Sequence, residues 1–525
     1  MMTIRTTIQL PFVHPFTGMD VASALEQRAI AFADRTFMVW EPPVGERMTW
    51  TYSNFLIAVE RKAAGMQARG VGAGDPVVLM LDNCPEFLLC WFACARLGAV
   101  AVDLNTMYTT DEIRHAIGVT GVVGMITHMR HVELVTALEE AVPWTLIIDE
   151  ETGTCEELAG DPAQLKHRDA DPSAPLCLQF TSGTTSRPKA VLFTHANALW
   201  GAKVGAAHGA YTSDDVTLVA APLFHTAALS WLTLSTFWVG GTVVLMPKYS
   251  TSRFWDVSLR NGCTSTMALA VMLQTIGTEV IPGHRYRSMV FSMEMAGIEK
   301  LFGLRLFPAW GMTEVLTNVI FGDPNWRGEE GAIGRVSDEY RARITRPDGA
   351  DTAVGEKGEL RIGGVRGISL FAEYLRDPAA TADAFDDEGF FLTGDLVTLL
   401  PSGAIRFDGR SKEMLKVGGE NVAASEIERV LGEVAGVTQA AVVGRPDPML
   451  NEVPVAFITV APGLGHDDVR VEATRQCVEK LAKFKVPREI HVLAELPTVT
   501  LGKIAKGQLT ALAREWVPTP TDRDR

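Results

Sequence analysis

Cysteine is scarce in this sequence. Seven occur among 525 residues (Cys84, Cys90, Cys94, Cys155, Cys177, Cys263 and Cys477), and no two form a C-x-x-C pair. That excludes a disulfide framework and makes a reducing cytoplasm the expected compartment. Cys90 and Cys94 stand four apart in the apolar run C-W-F-A-C-A and read as buried helix thiols. Basic residues are also in short supply. Lys and Arg number 48 against 63 Asp and Glu, a net charge of −15. A general nucleic-acid or anionic-membrane surface is therefore excluded, although a local basic groove is not. The N-terminal M-M-T-I-R-T-T-I-Q-L-P carries one basic residue and no long apolar core, so no signal peptide is expected. Internal repeats, low-complexity tracts and long linkers are lacking as well.

One long stretch is without charge. From Val216 to Met246 no Asp, Glu, Lys or Arg appears. The length would cross a bilayer. Pro222, His225, the pair Gly240-Gly241 and repeated Ser and Thr interrupt it, however. It reads as strand, loop, buried helix and a second buried strand, T-V-V-L-M.

What is present is a globular composition: 47% hydrophobic, 8% aromatic and 21% charged. At roughly 100–200 residues per domain, three or four compact units are expected. Helical patterns surround V-A-S-A-L-E-Q-R-A-I-A-F-A and F-L-L-C-W-F-A-C-A-R-L. Short apolar runs between and after them, P-V-V-L-M-L, G-V-V-G-M-I-T, T-L-I-I-D and L-C-L-Q-F, read as strands of parallel α/β layers. After about Gly331 short strands with turn signals take over, R-I-T-R-P-D-G, G-E-L-R-I-G-G and A-I-R-F-D-G-R, a small β-rich unit. From Ser411 a compact α+β tail follows. The expected fold is α/β: a large N-terminal domain (1–410) of layered α/β subdomains plus the β-rich unit, then a small mobile α+β C-terminal domain (411–525).

The strongest local motif is T-S-G-T-T-S-R-P-K-A at 181–190, directly after L-C-L-Q-F. Hydroxyls of Thr181, Ser182, Thr184 and Thr185, with Gly183, suit a loop that wraps phosphate oxygens with hydroxyl and backbone N–H groups. Lys189 suits a point charge on the outer phosphates. The spacing is not that of a Walker A loop. At this loop the chain resembles the adenylate-forming superfamily of acyl-CoA synthetases, adenylation domains and firefly-type luciferases. Its loop is usually S/T-S-G-T-T-G-x-P-K-G; Ser186 and Ala190 stand here in place of glycines. S-R-P-K, with K-Y-S-T-S-R-F-W at 248–255, looks most like the crotonobetaine/carnitine-CoA ligase branch.

The later motifs agree in order and spacing with that resemblance, which extends over nearly the whole chain. W-G-M-T-E at 310–314 resembles Y-G-M-T-E; the resemblance implies that Trp310 stacks on adenine, Thr313 holds the α-phosphate and Glu314 coordinates Mg²⁺. L-T-G-D-L at 392–396 and D-G-R-S-K at 408–412 imply ribose binding by Asp395 and Arg410, with Lys412 as the hinge. Taken alone, T-G-D would read as a turn or a helix cap. K-V-G-G-E-N-V at 416–422 implies a pantetheine tunnel lined by Gly418, Gly419 and Glu420; taken alone it would be a β-turn. L-P-T-V-T-L-G-K-I-A-K at 496–506 implies that Lys503 is catalytic, bridging substrate carboxylate and α-phosphate as charge develops. His225, in P-L-F-H-T, matches the gate beside the acyl pocket, near Thr226 and Ala227. Between Met289 and Trp310 the usual G-G-A-P-type segment is missing and the stretch looks shortened, so none of its pocket residues carries across.

The activity this implies is an ATP-dependent, AMP-forming acid–thiol ligase using ATP, Mg²⁺ and coenzyme A. The substrate would be a small betaine-like, aryl or medium-chain carboxylic acid. Trp200, Trp231 and Trp238 suit either an ammonium cage or plain core packing. A carrier-protein thiol is the alternative acceptor, and a non-catalytic nucleotide-binding protein the alternative class. No nucleic acid or membrane partner is expected; a homodimer is the base-rate expectation for the assembly.

Overall fold

The computed structural model describes residues 4, 13–136, 138, 142–149, 151–181, 188–268, 283–291, 299–300, 303–322, 328–329, 331–410, 414–497 and 504–515. The chain divides into two compact units. The first comprises 1–106, 114–180 and 190–411; the second comprises 107–113, 181–189 and 412–525.

Two large sheets build the first unit. One has seven strands in the order Glu373–Tyr374, Lys189–Thr194, Pro175–Thr181, Val100–Asp103, Pro76–Met80, Gly124–His128 and Thr145–Ile148. The other has nine, running Arg335–Val336, Ile320–Phe321, Arg305–Trp310, Ser288–Phe291, Ser265–Met267, Val216–Val219, Thr242–Leu245, Thr36–Trp40 and Met48–Thr51. Pairing in the nine-stranded sheet is parallel through the interior and antiparallel at both edges; in the seven-stranded sheet it is parallel from Pro175–Thr181 to the Thr145–Ile148 edge and antiparallel at the Glu373–Tyr374 edge. The central strands are buried along their length, as at Pro76–Met80, which is why they read as continuous apolar runs.

The helix Pro85–Leu97 shows how the sequence sets this arrangement. Pro85 opens it, where a missing N–H costs nothing, and Gly98 closes it at φ +68°. Every residue except Arg96 is buried, so the helix is enclosed all round rather than on one stripe, and its buried Glu86 is ion-paired with Lys62 at 3.1 Å. Its Phe92 ring packs edge-on to Phe55 and Phe237, 5.5 and 5.3 Å between centroids. Aromatic pairs of this kind contribute about 0.5–1.5 kcal/mol beyond the area they bury. Cys90 and Cys94 lie inside this helix, and all seven cysteines are free and buried. Burial pushes the Cys94 thiol above its ordinary range, so it has no thiolate character.

The charge-free run resolves as the sequence suggests. Strands Val216–Val219 and Thr242–Leu245 flank a helical stretch, Ala227–Val239. No helix among the described residues is long and apolar enough to cross a membrane. Within the same unit a four-stranded antiparallel sheet follows: Arg341–Thr345, Lys357–Gly363, Phe390–Leu399 and Ile405–Arg410.

The second unit carries its own sheet, Glu420–Ala423, Met414–Val417, Asn451–Val460 and Val437–Asp447, with Glu489–Val492 parallel to Asn451–Val460. Helices Ala424–Gly432 and His466–Lys480 cover a separate apolar core built on Ile427, Val430, Ile458 and Ala473. Its interior also holds Lys485, ion-paired with Glu112 and Glu426. Removing one member of such a buried group leaves an uncompensated charge.

Candidate active site

In the first unit, the W-G-M-T-E motif leaves the strand Arg305–Trp310 and passes into a single tight turn, Thr313–Val315. Gly311 is required by packing: a Cβ there would lie 2.5 Å from the Thr317 carbonyl oxygen and 2.6 Å from the Trp231 ring. Leu316 follows in the left-handed region at φ +65°, an unfavourable conformation for a side-chain-bearing residue. Neighbouring donors hold this loop. Trp231 Nε1 donates to the Leu316 carbonyl at 3.1 Å, and the Phe371 N–H donates to the Glu314 carbonyl at 2.9 Å. Tyr340 Oη lies 3.2 Å from the Val315 carbonyl and accepts from Trp200 Nε1 at 3.1 Å.

Glu314 is buried, and Tyr374 donates its hydroxyl to Glu314 Oε1 at 2.9 Å. Burial, then the adjacent carboxylate, pushes the Tyr374 hydroxyl well above its ordinary range, so it stays a donor. Thr313 stands one residue before, half-buried. Magnesium bridging phosphates takes few protein oxygens and keeps its waters. A single oriented carboxylate beside a hydroxyl residue fits that need. No group of three or more His, Cys, Asp or Glu that could hold a metal ion is gathered among the described residues. Of the residues in this turn, Glu314 is the one that could hold such an ion.

Trp310 and Asp395 come together although 85 residues separate them. Trp310 Nε1 donates to Asp395 Oδ2 at 2.8 Å, and both residues are buried. T-G-D is neither turn nor helix cap. It lies inside the strand Phe390–Leu399, where Gly394 at φ +70° and an irregularity between Leu396 and Val397 bend the strand. The Thr393 hydroxyl accepts the Asp395 N–H at 3.1 Å, and Asp395 stands in register with Arg410.

The His225 segment opens the helical stretch. His225 is half-buried, its ring 4.7 Å from that of Phe224, and its carbonyl accepts from the Leu229 N–H at 3.1 Å. Ala227–Leu234 is wound as a π-helix, a form found disproportionately at functional sites. Hydroxyls assist it: Thr233 Oγ1 donates to the Ala228 carbonyl and Ser235 Oγ to the Ser230 carbonyl, five residues back in each case. Thr226 is buried and donates to Gln179 Oε1 at 2.5 Å; Ala227 is half-buried. Gln179 is in register with Asp103, whose buried carboxyl is held well above its usual range by desolvation. The three tryptophans have different neighbours. Trp231 and Trp200 donate to Leu316 and Tyr340, and Trp238 faces the Arg28 guanidinium, so they act as bracing rather than as a shared cage.

In the second unit, Gly418 and Gly419 form the two-residue turn of a hairpin in which Val417 pairs with Glu420. Both glycines have positive φ, +61° and +95°, as this turn type requires. Thr181 ends the strand Pro175–Thr181 and Lys189 begins the strand Lys189–Thr194. Ser182, Gly183, Thr184, Thr185, Lys412 and Lys503 lie outside the described residues, as does 292–298 of the shortened segment.

Sequence reasoning missed the bracing residues Tyr374, Tyr340 and Gln179. Each is distant in sequence from the motif residue it serves and carries no local signal.

The AMP-binding enzyme family model matches residues 25–375, and the AMP-binding enzyme C-terminal domain model matches 426–503. A crotonobetaine/carnitine–CoA ligase of Salmonella paratyphi C (strain RKS4594) is 31% identical over 523 residues, covering 94% of this chain and 99% of the relative. Among solved structures, a Bacillus subtilis o-succinylbenzoate CoA synthetase bound with a product analogue superposes with a TM-score of 0.82. It is 27% identical and covers 93% of this chain and 97% of its own. ATP-bound MatB of Rhodopseudomonas palustris gives 0.68 at 25% identity, covering 95% and 99%. The chain therefore belongs to the AMP-binding enzyme family, the adenylate-forming superfamily that its motifs resemble, and is an AMP-forming acyl-CoA synthetase, an acid–thiol ligase.

Proposed function

We propose that this ligase activates a small carboxylic acid in two steps at the expense of ATP. A carboxylate oxygen attacks the α-phosphorus of ATP, forming acyl-adenylate and expelling pyrophosphate. The thiolate of coenzyme A then attacks the acyl carbonyl, forming the thioester and expelling AMP. The observation that carries this reading is the meeting of Trp310 with Asp395 beside the W-G-M-T-E turn. It joins the residue expected at adenine to the residue expected at ribose.

The remaining roles follow the motifs. Thr181–Thr185 and Lys189 serve the phosphates, Thr313 the α-phosphate, and Arg410 the sugar with Asp395. Magnesium, when bound at Glu314, would neutralise phosphate charge. Lys503 serves adenylation and Gly418, Gly419 and Glu420 serve thioester formation, with Lys412 as the hinge between domains 1–410 and 411–525. Positioning and charge stabilisation supply most of the rate in transfers at phosphorus. Seven buried free thiols support a reducing cytoplasm.

For the acid, the named relatives favour a small substrate, betaine-like or aryl, with His225, Thr226 and Ala227 beside it. The test is a mass-spectrometric screen of the chain with MgATP, CoA and a pool of short betaines, aryl acids and fatty acids. A single strong acyl-CoA mass is expected. Pyrophosphate release without a thioester would move the acceptor to a carrier protein. Nucleotide binding with neither product would overturn the catalytic reading.

A further inference from the structure

We propose that Gln179 is a positioning residue for the acid, acting through Thr226. This deepens the reading above and rests on it, since it takes the acid to lie beside His225, Thr226 and Ala227. The observation is where the Thr226 hydroxyl goes. Thr226 has helical backbone angles, φ −50° and ψ −39°, immediately before Ala227–Leu234. A threonine hydroxyl in a helix ordinarily bonds a carbonyl of its own chain about one turn back. Thr233 and Ser235 do this within the same stretch, at five residues. Thr226 does not. Its hydroxyl crosses to the strand Pro175–Thr181 and donates to Gln179 Oε1 at 2.5 Å, between residues that are 7% and 3% exposed.

Gln179 is a firm anchor. It lies in the interior of the seven-stranded sheet, in register with Asp103 on the neighbouring strand. The chain just before His225 is held by a second buried amide. Asn83 Nδ2 donates to the Ala221 carbonyl at 2.9 Å and the Met246 carbonyl at 3.0 Å, and Asn83 Oδ1 accepts the Leu223 N–H at 2.8 Å. Asn83 therefore fixes the approach to His225, and Gln179 fixes the residue after it. What stays adjustable is the π-helical winding that follows, an uncommon helix geometry. With its hydroxyl anchored, Thr226 sets where that winding begins, and so where His225 and Ala227 stand. A buried acceptor left without its donor is strongly disfavoured, so losing this bond would shift the start of the helix rather than leave it in place. Gln179 also stands two residues ahead of T-S-G-T-T, so the strand that anchors the wall of the acid's pocket leads on into the phosphate motif.

The experiment is acid-dependent exchange of labelled pyrophosphate into ATP by the full chain, with γ-butyrobetaine, benzoate and hexanoate as the acids. KM is read separately for the acid and for ATP. Gln179→Met keeps the length of the side chain and lacks the acceptor; Thr226→Val keeps the shape of threonine and lacks the hydroxyl. Each should raise the KM for the acid about tenfold and that for ATP less than about twofold, and the double variant should be no worse than the worse single, because both remove one bond. Thr226→Ser keeps the hydroxyl and should raise the KM for the acid less than about threefold. An unchanged acid KM in Gln179→Met beside a raised one in Thr226→Val would mean that Thr226 acts by direct contact alone. That would overturn the inference and leave the small-acid reading intact. Equal increases for acid and ATP would mark a general structural effect and overturn it too. A wild type that supports exchange with none of these acids would overturn both. Should Gln179→Met fold poorly, Gln179→Asn, whose amide falls one carbon short of Thr226, gives the same readout.

Discussion

Tyr374 and Glu314, sixty residues apart, are joined by a hydrogen bond of 2.9 Å from the phenol to the carboxylate, and both are buried. The residue expected to hold a cation is thus oriented by an uncharged donor that burial keeps protonated. Trp310 does the same for Asp395. Two acidic groups of the candidate site are each aimed by an aromatic side chain, which sets direction without cancelling charge.

Tyr374→Phe removes the donor and keeps the ring. A hydrogen bond to a charged group contributes about 1.5–3 kcal/mol. The magnesium concentration giving half-maximal adenylation should rise up to about tenfold, and the thermal midpoint should fall because the buried carboxylate loses its donor. An unaltered magnesium dependence would contradict the orienting role.

Gly311→Ala places a methyl group 2.5 Å from the Thr317 carbonyl oxygen and 2.6 Å from Trp231. Backbone cannot yield as a side-chain tip does, so overpacking should cost about 1–3 kcal/mol. The turn that carries Thr313 and Glu314 would shift with it. A lowered melting temperature together with reduced adenylation is expected; a variant as stable and active as wild type would show that the close packing is not required.

Asp103→Asn tests the buried acid in register with Gln179. Desolvation holds the folded-state carboxyl well above the usual carboxylate range. A raised pKa means the folded chain holds a proton that the unfolded chain releases. The stabilising contribution is therefore complete below about pH 4 and is lost as pH rises toward the folded value, by up to about 1.4 kcal/mol per pH unit. Asparagine has no such proton. Urea unfolding at pH 5 and pH 8 should show the variant gaining on wild type at the higher pH. Parallel behaviour at both would mean that Asp103 ionises normally.

Much of the fold was legible because buried parallel strands leave unmistakable apolar runs. The stretch Val216–Met246 is the clearest instance: Pro222 and Gly240-Gly241 marked its breaks, with one strand before the first, the helical stretch between them and the second strand after. The π-helical winding of Ala227–Leu234 was not legible, since no residue type marks it; hydroxyls reaching carbonyls five residues back accompany it. T-G-D misled when taken alone, because its glycine bends a strand rather than ending one. The motif residues were readable from local pattern. Their supports were not: Tyr374, Tyr340 and Trp231 reach the W-G-M-T-E turn from distant segments, a relation that only tertiary structure creates.

The proposed reaction forms an acyl-adenylate before any thiol takes part. Exchange of labelled pyrophosphate into ATP, run without CoA and with the acid selected by the thioester screen, tests it most directly. Wild type should catalyse acid-dependent exchange. Lys503→Ala should lose it while still converting synthetic acyl-adenylate and CoA to thioester. Exchange that requires CoA, or equal loss of both half-reactions in the variant, would contradict the account.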